Sequence, residues 1–287
     1  MIFKKRAGIF VLILQLFLTG LSSEENYKGT YLELLRSGNY EELAAWLRQW
    51  EEAEPENPEM FIGYFNYFVR SGAEVVQSVV VENGRRILRP RTQYNPENVN
   101  VGITYLDRGL QYTPHRLDIY WGKIELLMET GNYAKAGETL SNLIEISRSY
   151  NDQWLLGDNR PVSNGESYFL NYIIRYYSKC MDAYTEAPME MLRGCSEKHI
   201  EVYPQDAYGY FYLASYYHFA DQKEQSLHYF LLSEKINPSD CLTLLNIARL
   251  YLDLNNPEGV RAYAQRVLSI GNNEEKRYAR YLLGQLE

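Results

Sequence analysis

The 287-residue chain lacks most of the features that would point directly to a chemistry. It has three cysteines, Cys180, Cys195 and Cys241, too few for a disulfide framework and without zinc-binding spacing. Its four histidines, His115, His199, His218 and His228, form no His-Glu-x-x-His helix. There is no Gly-x-Ser-x-Gly elbow and no phosphate-cradling glycine loop. An enzyme needs such a constellation, so the sequence predicts no catalysis, no cofactor and no metal. Positive charge is also scarce, with 29 Lys and Arg against 37 Asp and Glu and a formal charge of −8. That balance argues against nucleic acid or anionic lipid as the principal partner, since both attract a basic surface. No Asn-x-Ser/Thr site occurs without an intervening proline, which suits a bacterial periplasm.

What is abundant is tyrosine, with 27 residues, in a chain whose length allows two globular domains or one elongated array. The chain opens with Lys4-Lys5-Arg6, an apolar run from Ala7 to Leu21 broken by Gln15 and Gly20, and then Ser22-Ser23-Glu24-Glu25. The run is shorter than the ~18–20 residues of a spanning helix, and small residues follow it. Residues 1–22 therefore read as a cleaved secretory signal peptide with no lipid-acceptor cysteine nearby, and residues 23–287 as the mature chain. Loss of Lys4, Lys5 and Arg6 takes the formal charge from −8 to −11. An exported protein without stable membrane insertion is expected.

Self-similarity organises the rest. Gly38-Asn39-Tyr40 recurs as Gly131-Asn132-Tyr133, each before an amphipathic stretch, and Gly72 closes a comparable aromatic segment 34 residues after Gly38. Prolines Pro55, Pro114, Pro204 and Pro238 each follow a helical pattern, the last two again 34 apart. In these markers the chain resembles the tetratricopeptide repeat family, whose unit is two antiparallel helices with a glycine at the turn and a proline closing the second helix. Ala207 to Pro238 matches best, through Tyr210, Leu213, Ala214, Tyr217 and Phe230; Asp221 and Asn255 depart from it by standing where glycine is usual. The resemblance implies an all-α, right-handed superhelical solenoid of about six helix hairpins, with a cap helix near Glu274–Leu286. Hairpins of this kind cover one another's apolar faces. Tyr40, Tyr133, Tyr210, Tyr217, Tyr251, Tyr278 and Tyr281 fall at inter-helix packing positions of that frame.

Two stretches exceed the period. Residues 75–97 carry β-branched runs around Asn83-Gly84, a dipeptide suited to a type I′ turn, so a β-hairpin is expected inside the second repeat. Arg85, Arg86, Arg89 and Arg91 make it the cationic patch of an acidic chain. It reads as a docking arm for an acidic partner or a neighbouring copy, or as a ribbon folded onto its own acidic helices. Residues 149–165 form a long loop around Trp154, expected on the scaffold edge or over a binding groove. Cys180 and Cys195 flank a helix bend at nearly equal distances, compatible with a bridge or with two buried thiols.

The family's concave face is lined by the first helix of each repeat. On that frame the groove positions are Ile62, Asn66 and Val69; Trp121, Glu125 and Met128; Phe211, Ser215 and His218, with Tyr208 beside them; and Leu245 and Arg249. Members that clamp a C-terminal carboxylate need a lysine at the first of these positions, where this chain has Ile62, Trp121, Phe211 and Leu245. An apolar, aromatic groove instead favours an apolar peptide or helix. The expected function is a non-catalytic protein-interaction scaffold. The alternatives are a self-associating structural subunit docking through the hairpin and convex face, and a small-ligand-binding accessory protein.

Overall fold

A computed structural model describes residues 27–82, 85–150 and 153–286. The signal-peptide reading of residues 1–22 and the Asn83-Gly84 turn lie outside them. The described residues form thirteen α-helices: α1 (Tyr27–Ser37), α2 (Tyr40–Ala53), α3 (Pro58–Ser71), α4 (Pro96–Tyr112), α5 (Leu117–Glu129), α6 (Tyr133–Ser147), α7 (Gly165–Ala183), α8 (Glu186–Val202), α9 (Ala207–Phe219), α10 (Lys223–Ile236), α11 (Cys241–Asp253), α12 (Pro257–Ile270) and α13 (Asn273–Gly284). An antiparallel ribbon of β1 (Ala73–Glu82) and β2 (Arg85–Tyr94) separates α3 from α4, and a short pair, β3 (Leu155–Leu156) and β4 (Arg160–Pro161), lies between α6 and α7. The fold is all-α apart from these strands.

Helix starts are written in the sequence as Asn and Asp. Asn39, Asn57, Asn95, Asn132, Asp206, Asp240, Asn256 and Asn272 each accept a hydrogen bond from a backbone N–H of the first turn, satisfying donors that the helix leaves open. Turns between paired helices share one backbone state. Gly38 and Gly131 have φ of 73° and 78°, and Asp221 and Asn255, at the corresponding turns, have φ of 55° and 53°. The two departures from glycine thus keep its left-handed geometry, using the residue types that tolerate it best. Tyr184, between α7 and α8, is also left-handed at φ 44°.

Gly72 differs from its sequence expectation. Its φ is −104°, so it is no left-handed turn; it ends α3 where the arm begins, and a Cβ there would press on the Asn95 and Asn98 side chains. Within the hairpin and loop expected over 75–97, the ribbon starts two residues earlier, at Ala73, and ends at Tyr94, where Asn95 caps α4 and Pro96 occupies its first turn.

The chain divides into two compact units, one comprising the described residues to Thr130 with Gln153–Val162, the other Gly131–Asp152 with residues from Ser163 onward. In the first unit, α1 to α3 enclose Leu43, Leu47, Trp50, Met60 and Phe61. α3 and α4 then approach closely, since a Cβ at Gly109 would lie 3.1 Å from that of Phe61. Tyr64 and Tyr105 stack there at 4.3 Å. In the second unit, Ala214, Phe230, Ile247 and Leu250 join α9 to α11, and Leu244, Val260, Ala264, Val267, Ala279 and Leu282 continue the core through α13. Tyr217 stacks on Tyr229 and Tyr251 packs against Tyr263, as seam tyrosines should. Tyr278 and Tyr281, on α13, stack on each other and stay 40% and 52% exposed.

The turn geometry makes a contrast between two glycines testable. A Cβ at Gly38 meets nothing within 4 Å, so Gly38→Ala pays for the left-handed backbone alone and is expected to lower stability by about 1 kcal/mol. Gly194, inside α8 and equally unobstructed, has no such backbone, and Gly194→Ala is expected to raise stability by ~0.5–1 kcal/mol. Urea denaturation of the two variants reads both signs.

Candidate protein-interaction surfaces

In the second unit the first helices of successive hairpins expose aromatic and aliphatic side chains. Asp206 caps α9 by accepting from the Tyr208 N–H at 2.8 Å, which fixes Tyr208 in the first turn, 50% exposed. Phe211 stands edge-on to Tyr212 and Phe230 at 5.2 and 5.4 Å and keeps one side open. Tyr212 leans against α7, with its ring 5.0 Å from Tyr177 and its hydroxyl 3.0 Å from Ser178 Oγ. Residues 208, 211, 212 and 215 recur at helical spacing, so they share one side of α9. Leu242 on α11 is 55% exposed, and Arg249 lies two turns further on, its Nε donating to both Asp253 oxygens at 3.1 and 3.2 Å.

The predicted positions therefore separate. Tyr208, His218 and Arg249 are exposed and Phe211 is half-buried. Ser215 is buried, donating to the Phe211 carbonyl at 2.9 Å, and Leu245 belongs to the core. In the first unit Ile62 and Asn66 are half-buried, and Asn66 Nδ2 donates to Tyr31 Oη at 2.9 Å and to the Ile62 carbonyl at 3.0 Å. Glu125 is half-buried, whereas Val69, Trp121 and Met128 are buried, Trp121 at 5% exposure. Those three serve the first unit as packing residues, a correction to their expected place on an open surface. Hydrophobicity alone could not distinguish the two roles. Leu242 was missed; an apolar residue two positions beyond the Asp240 cap was its signal.

The arm is solvated along its length. Arg85, Arg86, Arg89 and Arg91 are all exposed, and Arg85, Arg86 and Arg91 make no ion pair among the described residues. Alternation along β2 divides the expected patch: Arg85, Arg89 and Arg91 share one face with Ile87, and Arg86 shares the other with Leu88 and Pro90. On that second face Val75, Val79 and Leu88 are 73%, 61% and 66% exposed.

The loop near 149–165 is held by a charged knot within the first unit. Trp154 is fully buried, and the Leu155 N–H donates to the His115 carbonyl at 2.9 Å. Beside it the fully buried Arg116 donates to both Asp118 oxygens at 2.8 Å, to Glu59 Oε1 at 2.7 Å and to Asn159 Oδ1 at 3.3 Å. Glu59 also receives the Asp158 N–H at 3.0 Å and pairs with Lys28 at 3.0 Å; Lys28 pairs in turn with Asp158. Burial pushes the Glu59 carboxyl upward, but Arg116, Lys28 and the Asp158 N–H outweigh it and hold the group below its ordinary value. A cleft of about 610 Å³ opens outside the knot between residues 54–59, Arg116, Asp158 and Asn159.

The three cysteines are unbridged and buried, and desolvation pushes Cys180 and Cys195 up to about 12. Of the two sequence alternatives, the structure has the buried thiols. Among the described residues no group of His, Cys, Asp and Glu is placed to hold a metal ion, and no helix is long and apolar enough to cross a membrane.

Paired helices joined through left-handed turns define an all-α helical-hairpin array. Similar solved structures include YrrB, a tetratricopeptide protein with an unusual peptide-binding site, at 11% identity, covering 82% of this chain and 96% of that one with a TM-score of 0.42. Another is residues 41-end of MamA from Desulfovibrio magneticus RS-1, at 13% identity, 85% and 92% coverage and a TM-score of 0.30. A third is PilF of Pseudomonas aeruginosa, at 12% identity, 89% and 96% coverage and a TM-score of 0.34. No protein-family profile and no curated protein matches the chain.

Proposed function

We propose that the protein is a non-catalytic protein-interaction scaffold of the bacterial cell envelope, exported by residues 1–22, which holds an apolar peptide or helix against the exposed side of α9 and α11. The observation that carries this reading is the half-exposed Tyr208, fixed by its cap next to Phe211, with Leu242 exposed on the following first helix. Rigid aromatic groups offer contact area at low entropic cost, and burial of such anchors supplies most of an interface's energy. Arg249 supplies a cation at one end of the same helices for an acidic residue flanking the apolar segment.

The test is binding of immobilised protein to a panel of synthetic amphipathic helical peptides. Tyr208→Ala with Leu242→Ala is expected to weaken the best binder at least about tenfold, as for loss of an anchor pair. Both side chains are exposed, so the thermal transition should stay in place. An unchanged affinity would remove this surface from consideration.

A further inference from the structure

The geometry points to the β1–β2 arm as a dimerisation element: we infer that the open edge of β1 pairs antiparallel with β1 of a second copy, giving a four-stranded sheet ordered β2-β1-β1-β2. This goes beyond the peptide-binding surface and does not depend on it.

Three observations converge. First, the ribbon is long and unsupported. Ten residues per strand reach about 34 Å, and the arm packs chiefly on itself, with Tyr94 anchoring its root on the α3–α4 core and donating to Glu129 at 2.9 Å. An isolated two-stranded hairpin is at best marginal in water, and stability comes with added strands or a covered face. Exposed Val75, Val79 and Leu88 give this one an apolar face to cover.

Second, its two edges differ. Pro90 has no N–H to give to a ladder, so within a paired strand it belongs at a position whose backbone faces the outer edge. Its register partner Gln77 then sits at a non-hydrogen-bonded pair, with its own backbone groups facing outward from β1. With Pro90 and four arginines, β2 carries the devices that block strand addition; β1, Ala-Glu-Val-Val-Gln-Ser-Val-Val-Val-Glu, has no proline, lysine or arginine. The outward N–H and C=O groups of Val75, Gln77 and Val79 form its open side.

Third, charge along the arm is self-complementary for antiparallel pairing. At its far end Arg85 and Arg86 outnumber Glu82, while around its root the exposed Glu74, Glu97 and Glu129 outnumber Arg91 and the half-buried Arg70. Antiparallel pairing of β1 with its copy brings the far end of each arm to the acidic root of the other. Centred on Gln77, it sets Val75 opposite Val79 of the second copy and avoids a direct Glu74–Glu74 contact. An anionic membrane could satisfy the arginines but not the β1 edge, and an unrelated acidic protein would not reproduce the match between arm end and root. The contact is isologous, so it closes at two copies.

Sedimentation velocity over a concentration series tests this. The purified protein is expected to form a salt-sensitive dimer. Gln77→Pro, which removes an outward N–H and leaves the intra-arm ladder intact, is expected to raise the dimer dissociation constant at least about tenfold. Arg85→Glu with Arg86→Glu is expected to weaken the dimer and abolish its salt dependence. Helical circular dichroism and the thermal transition report separately that both variants are folded. A protein that stays monomeric at its solubility limit, or a dimer indifferent to Gln77→Pro, overturns the inference. So does recovery of the arm on phosphatidylserine vesicles with no dimer in solution.

Discussion

Arg116→Met is expected to lower the stability of the first unit by about 3–5 kcal/mol, the range for breaking a buried ion pair from one side. The guanidinium is fully buried, and Glu59 and Asp118 are nearly so. Methionine fills much of the same volume but leaves two carboxylates facing each other with Lys28 alone in support. Urea denaturation followed by Trp154 fluorescence reads the effect, because that indole is fully buried in the same unit. Lys28→Met, on a side chain 18% exposed whose other partner Asp158 is open to solvent, should cost less, because it leaves the Arg116 pairs with Glu59 and Asp118 in place. Equal costs for the two would mean that the knot is not organised around Arg116.

The second large effect is a loss of stability on mild acidification, centred on His199. Its imidazole is fully buried in the second unit, and neither ring nitrogen has a hydrogen-bond partner. The rings of Tyr177 and Tyr203 lie 5.9 and 5.7 Å away, and the Asp206 carboxylate, capping α9, comes no closer than 3.9 Å. Desolvation lowers its pKa from 6.5 to about 4, against an opposing pull from Asp206. With the folded value depressed, the unfolded chain takes up the proton first as pH falls. Stability is therefore fully present above about 6.5 and lost as pH falls toward 4, at about 1.4 kcal/mol per pH unit and about 3 kcal/mol in all. The span from pH 6.5 to 5 is diagnostic because ordinary carboxylates titrate below it. His199→Phe keeps an aromatic ring between Tyr177 and Tyr203 and removes the proton site. Its stability is expected to be nearly level over that span, measured by urea denaturation at each pH. A variant that still loses stability there would assign the titration elsewhere.

How far the sequence carried the fold is clearest at the turns. Gly38, Gly131, Asp221 and Asn255 stand at corresponding turns and share a left-handed backbone, and that requirement is local enough to be legible in residue type. The arm was legible for the same reason, as Asn-Gly between β-branched runs is a local signal. Burial is a property of neighbours, so the surface was less so. Trp121 and Tyr208 both look like groove aromatics, yet one is core and the other half-exposed. Arg116 was not singled out at all. Its partners Glu59 and Asn159 lie 57 residues before it and 43 after it, and no spacing rule joins them.

The knot also bears on how the chain matures. Translation delivers α1 to α5 first, but Trp154, Asp158 and Asn159, which complete that unit, follow only after α6 has been made. Until they arrive, the backbone carbonyl of His115 and the Asn159 site on Arg116 lack their later partners. The first unit is thus finished only after the opening helix of the second has been made, and a nascent chain stalled between Gly131 and Gln153 should remain open to protease at α5 in a way that extension through Val162 abolishes.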